Sequence, residues 1–575
     1  MVSYLLISMM RVQNLIDLLE SIDASGYKAY KRIAGEYNFP DFVLSIDHVQ
    51  GDPFADLSRC HVTLSLSSLN LPESLYHNSM RRIALEDFLG RRFATAIASI
   101  VVANRGSGRS GEFDIASYGQ QVLRRNSVLI GSSQIEVRFQ LGLPAQGRRV
   151  DAGAAKAMFC DELPALVRLA LLQAVDHQKA ATQHVDCVEN QHFLRTQLDA
   201  KGLIAFIADD SNLARLSGVD DRPLGESVRI QAPDSLACEL ALKHGSTVRG
   251  LAIPKGINLI VGGGFHGKST LLRAIEQGVY EHIPGDGRER VVSEPDCFKL
   301  RSEDGRAVAG VDISPFIQNL PGGKDCAFFT TENASGSSSQ AASIIESLGA
   351  GVKTILIDED TSATNFLIRD PVMKLLVPDD KEPITPLRQS IRQLKRQLGV
   401  SLVMVMGGSS EYFCVADSVI MMDNYQPRDV SLPVKKLVEA APEDESGPPV
   451  MLQKTPRIPQ PTCLSSLGAT GKQKIKAFGT RHLLYGEQEV PVQALEQLVD
   501  IAQLQAIGYL IDYYQRSYQH SPTDLVTGLG RVLGQLQQQG FDLITPYPMG
   551  KLALPRLQEL IAVVNRMRQL VLIKF

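Results

Sequence analysis

The chain has 575 residues, 44% hydrophobic and 21% charged, with a net charge of −4. That length is too great for one core and predicts roughly three to four domains, while the charge excludes coating of nucleic acid by bulk attraction and no apolar run of about 18 residues offers a membrane span. The eight cysteines are scattered without a CxxC pair, which excludes a disulfide framework or a thiolate zinc site and predicts a reducing, cytoplasmic setting. The apolar start from Val2 to Met10 is short and lacks a basic flank, so it reads as a first helix rather than a signal.

Residues 1–200 mix two periodicities. Alternation at Phe42, Leu44 and Ile46, and again at Ile135, Val137 and Phe139, predicts strands. Ala154 to Ala180 predicts a helical stretch interrupted near Pro164, with an apolar face from Leu166, Leu169, Leu171 and Leu172. Residues 81–150 hold eleven arginines, no lysine and five acids, a local charge of +6. Arg105, Arg109, Arg124 and Arg125 are the candidates for gripping a nucleic-acid backbone, with Phe113 or Tyr118 available for stacking. Three other readings of this stretch stay open: pairing with acids inside a folded domain, a dimer contact, or a second nucleotide-like anion.

A second region begins near Gly202, where Leu203 to Ile207 predicts a buried strand. The apolar run Ile257, Leu259, Ile260, Val261 is followed by Gly262-Gly263-Gly264-Phe265-His266-Gly267-Lys268-Ser269-Thr270 and a helical Leu271, Leu272, Ala274, Ile275. Strand, glycine loop and helix with GxxxxGK[ST] spacing point to a phosphate-binding loop. Its glycines let backbone N–H groups curl around phosphate oxygens, and the helix N-terminus adds positive potential. Lys268 is placed for the β- and γ-phosphates of ATP and the Ser269 hydroxyl for Mg²⁺. The bland alternative is a glycine-rich turn.

Downstream, Thr354-Ile355-Leu356-Ile357-Asp358-Glu359 is an apolar strand ending in two acids. Asp358 is the metal candidate, and Glu359 the catalytic residue that orients or deprotonates water. Asn333 to Gln340 opens a helical segment with a Ser335-Gly336 turn and resembles the Leu-Ser-Gly-Gly-Gln signature of ABC-type ATPases. In that family such a turn meets the γ-phosphate bound to the other subunit. Thr361 to Asn365 stands where those proteins have a D-loop, and Gln318, 50 residues after Lys268, stands as the Q-loop glutamine near the metal. The strands Ser401–Met406 and Ala416–Asp423 resemble the last two of that fold. Where the family has a switch histidine, this chain has Gly407-Gly408-Ser409-Ser410. His266 reads as an exposed loop residue or a partial substitute. No aromatic residue stands just upstream of the phosphate loop, so the base contact has no candidate.

Pro442 to Pro461 predicts a linker. From about Val490 the spacing Leu495, Leu498, Ile501, Leu504, Ile507, then Leu557, Leu560, Val564 is helical.

Taken with Gln50-Gly51-Asp52-Pro53-Phe54-Ala55, Gly142 to Arg148, Ile283 to Glu289, Ile357 to Phe366 and Lys381 to Pro386, the chain resembles the predicted ATPases of the ABC class over almost its whole length. The resemblance implies an α/β fold: a mixed α/β domain at 1–200, an ABC-type P-loop ATPase domain at 203–440, a linker at 441–461 and a mostly helical domain at 462–575. It implies a Mg²⁺-dependent ATPase working as a head-to-tail homodimer, with single-stranded RNA or DNA as a possible load. The competing expectation is an ATP-gated binding or scaffold protein with slow or no turnover. Only 16 residues separate Gln318 from Ser335, leaving no room for the helical subdomain that docks transporter ATPases on membrane subunits.

Overall fold

The computed structural model describes residues 10–320, 322–377, 381–438 and 456–574. The apolar start before Met10 and the 441–455 part of the expected linker lie outside the described residues. The chain divides into two compact units, Met1–Val188 with Gln539–Leu554, and Glu189–Gln538 with Pro555–Phe575.

In the first unit a seven-stranded sheet carries both expected strands. Val43–His48 and Gln134–Leu141 flank Ser58–Ser65, each antiparallel to it. Ser58–Ser65 alternates buried and half-buried side chains along its length, as a strand with one core face must. Helix Ser79–Ile100 packs Ala84, Leu85, Leu89, Phe93 and Ala96 inward, and Asn78 caps it by accepting from the Arg81 N–H at 2.9 Å. The stretch around Pro164 is not interrupted. Helical turns run from Ala152 to Leu172, with π-type turns at Ala157–Glu162 and Arg168–Leu172 on either side of Leu163–Val167. Pro164 stands at the start of that middle piece, directly after the first π-type turn.

The second unit is built on a six-stranded sheet: β1 (Ile257–Val261), β2 (Cys297–Leu300), β3 (Thr354–Asp358), β4 (Ser401–Val405), β5 (Ser418–Asp423) and β6 (Gln426–Asp429), in the order β2-β3-β4-β1-β5-β6. The first five are parallel and β6 is antiparallel to β5. Every residue of β3 and β4 is buried, which explains why these segments read as unbroken apolar runs. Helices α1 (Lys268–Gln277), α2 (Gly336–Gly349) and α3 (Leu387–Leu398) belong to this unit. The expected strand at Leu203 runs to Ala208, fully buried, in a separate four-stranded antiparallel sheet. Residues 319–334 contain no described helix. They lead into Phe329–Ala334, which pairs with Arg306–Val311 as a two-stranded arm ahead of α2.

Towards the C-terminus the three-stranded meander Ile475–Phe478, His482–Tyr485, Gln488–Pro491 precedes helices Ile501–Tyr518, Leu525–Gln539 and Leu557–Val564. The helices dominate, and Asp500 with Gln503 closes a capping box on the first. No described helix is long and apolar enough to cross a membrane.

The arm is riveted to α2 by a buried charge. The Arg306 guanidinium pairs with Glu346 and donates to Ser343 Oγ at 2.6 Å, with side-chain exposures of 2% and 5% for the ion pair. Removing one partner of such a pair strands the other charge, so Arg306→Met is expected to cost roughly 3–5 kcal/mol in urea unfolding. An unchanged midpoint would mean that Arg457, 3.9 Å from Glu346, takes over the carboxylate.

Candidate nucleotide-binding site

The phosphate loop leaves β1 at Gly262, whose φ is +136°. A Cβ there would lie 2.5 Å from the Met422 carbonyl oxygen of β5, so only glycine lets the loop start this close to the neighbouring strand. Gly267, at φ +96°, caps α1. Lys268 Nζ donates to the Gly262 and Gly263 carbonyls at 2.8 Å each, folding the ammonium back over its own loop. The Asp358 carboxylate is buried at the end of β3, with the Ser269 hydroxyl near enough to lower its pKa. Burial raises its pKa above the ordinary carboxylate value, while the Asp360 N–H and the Lys299 charge pull the other way. A hydroxyl and a carboxylate side by side form a hard oxygen donor pair that suits Mg²⁺.

Glu359 is gripped by the turn after β4. Its Oε2 accepts from the Gly407 N–H at 2.5 Å and the Gly408 N–H at 2.9 Å. A Cβ on Gly407 would be 3.8 Å from both Lys268 Nζ and Glu359 Oε2. The two glycines therefore lie beside the phosphate-loop lysine, in the stretch where the ABC resemblance leads one to expect a histidine. Sequence reading noted the missing histidine and missed this backbone pair; the adjacent glycines were the only signal.

Ser335 caps α2, accepting from the Ser338 N–H at 3.4 Å. This helix start is laced to the expected D-loop. Ser337 Oγ donates to Asn365 Oδ1 at 2.7 Å, Gln340 Nε2 donates to Ser362 Oγ at 3.0 Å, and Gln340 Oε1 accepts from the Ala363 N–H at 2.9 Å. A Cβ on Gly336 would strike Ser302 Oγ at 2.4 Å. The described contacts thus gather Lys268, Ser269, Asp358, Glu359 and Gly407–Gly408 in one cluster, and Ser335, Gly336 and the D-loop in another. Gln318 is exposed; its side chain donates to the Ser314 carbonyl at 3.0 Å, and its described contacts do not include Asp358 or Ser269.

His266 is neither a spare loop residue nor a partner of Glu359 in the described contacts. Its Nδ1 accepts from the Asn424 N–H at 2.9 Å, and its carbonyl accepts from the Tyr425 N–H at 3.1 Å. These bonds strap the β5–β6 turn to the phosphate loop. Beside it opens a cavity of about 470 Å³, reached by Gly267, Thr270, Met422 and Tyr425 and by the segment from Leu213 to Ile230.

Two of the four arginine candidates pair with acids of their own unit. Arg105 pairs with Glu162 and donates to the Val102 carbonyl at 3.0 Å. Arg109 pairs with Glu112 at 2.7 Å. Arg125 is buried, its guanidinium 5.0 Å from the Tyr118 ring centre, and Arg124 is half-buried with its carbonyl accepting from the Leu554 N–H at 2.9 Å. The four do not form an exposed face.

Three family models match the chain. Residues 177–456 match the P-loop domain of the ABC ATPases, residues 12–174 the N-terminal region of ATPases of the ABC class, and residues 474–573 the MRB1590 C-terminal domain. The uncharacterized protein MJ1628 of Methanocaldococcus jannaschii is 33% identical over 253 residues, 42% of this chain and 55% of that protein. The chain thus spans about half the length of that relative. Among solved structures, the ADP conformation of MJ1267, an ATP-binding cassette of an ABC transporter, is 10% identical, with 42% of this chain and 96% of that one covered at a TM-score of 0.25. The cbiO1 protein of Clostridium perfringens, part of the ABC transporter complex cbiONQ, is 13% identical, with 41% and 91% covered at a TM-score of 0.26.

Lys268 supplies the positive charge of the phosphate loop. Lys268→Met is expected to weaken ATP binding roughly ten- to hundredfold, the worth of a hydrogen bond to a charged group, with the fold unchanged by circular dichroism. Equal ATP affinity in calorimetry would show that the loop does not hold phosphate.

Proposed function

Because the chain belongs to the ABC-class ATPases, its N-terminal and P-loop regions matching from residue 12 to residue 456, we propose that it is a Mg²⁺-dependent ATPase that closes as a head-to-tail homodimer. The observation that carries the reading is the cluster of Lys268, Ser269, Asp358 and Glu359, contributed by β1, α1 and β3 beside the turn after β4. Lys268 and the loop N–H groups hold the phosphates, and Ser269 and Asp358 hold the metal, whose charge offsets that of the β- and γ-oxygens. Glu359 orients the attacking water and takes its proton. Ser335 and Gly336 act across the dimer, moving as one piece with the D-loop that their helix is bonded to. Phe265, at the tip of the phosphate loop and 98% exposed, gives the second copy an apolar contact on that face. Eight cysteines that form no disulfide fit a reducing cytoplasm, and the absence of a described helix across 319–334 fits an enzyme without membrane subunits.

A second reading, an ATP-gated binding protein with slow turnover, draws on the grip on Glu359. Two backbone N–H groups already engage its Oε2, so one of the two oxygens that could meet a water is occupied. Steady-state turnover against a Glu359→Gln form separates the two. The ATPase reading expects kcat to fall roughly 10²–10⁴-fold with ATP affinity retained and ATP-bound dimers accumulating in analytical ultracentrifugation. Equal turnover in both forms means a switch.

A nucleic-acid load would draw on Arg148, which is 76% exposed while lying 3.1 Å from Asp52. Binding of single strands that weakens steeply with salt and falls with Arg148→Ala supports it; no binding at low salt removes it.

A further inference from the structure

The phosphate loop opens sideways into the cavity of about 470 Å³ walled by Leu213, Leu224, Val228, Ile230, Met422 and Tyr425. We infer that this cavity receives the base and ribose of the bound nucleotide, with the Tyr425 ring as the stacking platform. The inference rests on the reading of Gly262 to Thr270 as a phosphate site and names what lies beyond the phosphates.

Position comes first. Gly267 and Thr270, which end the phosphate loop and begin α1, form one edge of the cavity. A nucleotide whose phosphates lie in the loop has its base and sugar within reach of that edge. The volume falls within the 300–1,000 Å³ of small-molecule sites, and apolar walls with few polar groups are what such sites use. Glu226 and Ser227 are the polar side chains of the segment that line it. Ser227 Oγ already donates to Asn212 Oδ1 at 2.6 Å, bracing the wall, and Glu226 is exposed as an acceptor at the rim.

The second argument is strain. Asp423 pairs with Gln426 across β5 and β6, so Asn424 and Tyr425 form a two-residue hairpin loop with φ +49° and +66°. Such a turn strongly prefers glycine at its second position. A tyrosine there is unfavourable, and outliers of this kind concentrate at ligand clamps. The residue is only partly buried, being 47% exposed. The turn is nevertheless fixed on both sides. His266 holds it against the phosphate loop through the Asn424 and Tyr425 N–H groups. Gln426 holds the opposite wall, accepting from the Gln231 N–H at 3.0 Å and donating to the Arg229 carbonyl at 2.8 Å. An exposed aromatic ring held in a costly backbone conformation, beside an apolar hollow that adjoins a phosphate loop, is suited to stacking on a planar base. His266 and Gln426 are positioning residues for it.

The test compares ATP with inorganic tripolyphosphate by calorimetry on the full-length protein with Mg²⁺. Base capture predicts that the unmodified protein binds ATP more tightly than tripolyphosphate. Tyr425→Gly is expected to weaken ATP roughly ten- to hundredfold, the worth of one base–aromatic stack, and to leave tripolyphosphate binding unchanged. Its thermal midpoint without nucleotide should hold or rise, because glycine relieves the positive φ; a purely structural Tyr425 would lower it. Tyr425→Phe keeps the ring and should bind ATP as the unmodified protein does. Val228→Asp, which places a charge in the apolar wall, should also lose ATP selectively. The inference is overturned if Tyr425→Gly and Val228→Asp both bind ATP like the unmodified protein, or if that protein does not distinguish ATP from tripolyphosphate. An unmodified protein that binds neither would instead remove the phosphate-site reading beneath it.

Discussion

The bond between Glu359 and the Gly407–Gly408 backbone joins the ends of β3 and β4, and the geometry of the site depends on such junctions. Parallel strands buried on both faces bring their polar chemistry together where they end. Here the ends of β1, β3 and β4 each contribute one component: a glycine loop, a pair of acids and a pair of backbone N–H donors. Because β4 lies between β1 and β3, the turn that follows it reaches both Lys268 and Glu359. Gly262 can start its loop only because it lacks a Cβ to meet Met422. Each element is locally unremarkable; convergence makes the site.

The far end of α1 is held as firmly as its start. Gln497 Nε2 donates to the Glu276 carbonyl at 2.9 Å and to the Cys297 carbonyl at 3.2 Å, and Tyr280 donates to the Gln497 carbonyl at 2.7 Å. Lys299 sits between the carboxylates of Glu276 and Glu496, at 3.3 and 2.6 Å. Within this unit, the stretch just before helix Ile501–Tyr518 is therefore bonded to the helix that begins at Lys268. Lys299 also acts on Asp358 through its charge, so the packing of residues 496–497 and the Asp358 carboxylate share one cation.

What could be read from sequence follows from how local each feature is. The phosphate loop, the acid pair of β3 and the serine-glycine turn at α2 are spacing patterns within about ten residues, and each stands where the spacing placed it. The grip on Glu359 spans 48 residues and the strap on His266 spans 158, beyond any periodicity. The arginines mislead for the same reason. Counted along the chain they make a basic stretch, but Arg105 meets Glu162, 57 residues on, and Arg138 meets Asp542, 404 residues on. Acids remote in sequence neutralise a charge that a window of 70 residues reports as excess. Pro164 shows a subtler limit: the chain stays helical through it, with the departure from α geometry taken up by π-type turns on either side.

The two ends of the proposed nucleotide site differ in what builds them. The phosphate end is made of backbone N–H groups and one lysine, so its requirements appear as glycines at fixed spacing. The base end is made of side chains from two separate segments, and its only mark in the sequence is a tyrosine where a tight hairpin prefers glycine. That hairpin is also the link between the ends. Gly267 must lack a Cβ because one would meet the Tyr425 ring at 2.8 Å, and His266, its neighbour in the loop, holds the turn that carries the ring. A base that moved Tyr425 would therefore press on the loop that holds the phosphates, which makes His266 and Gly267 the coupling between base occupancy and phosphate geometry.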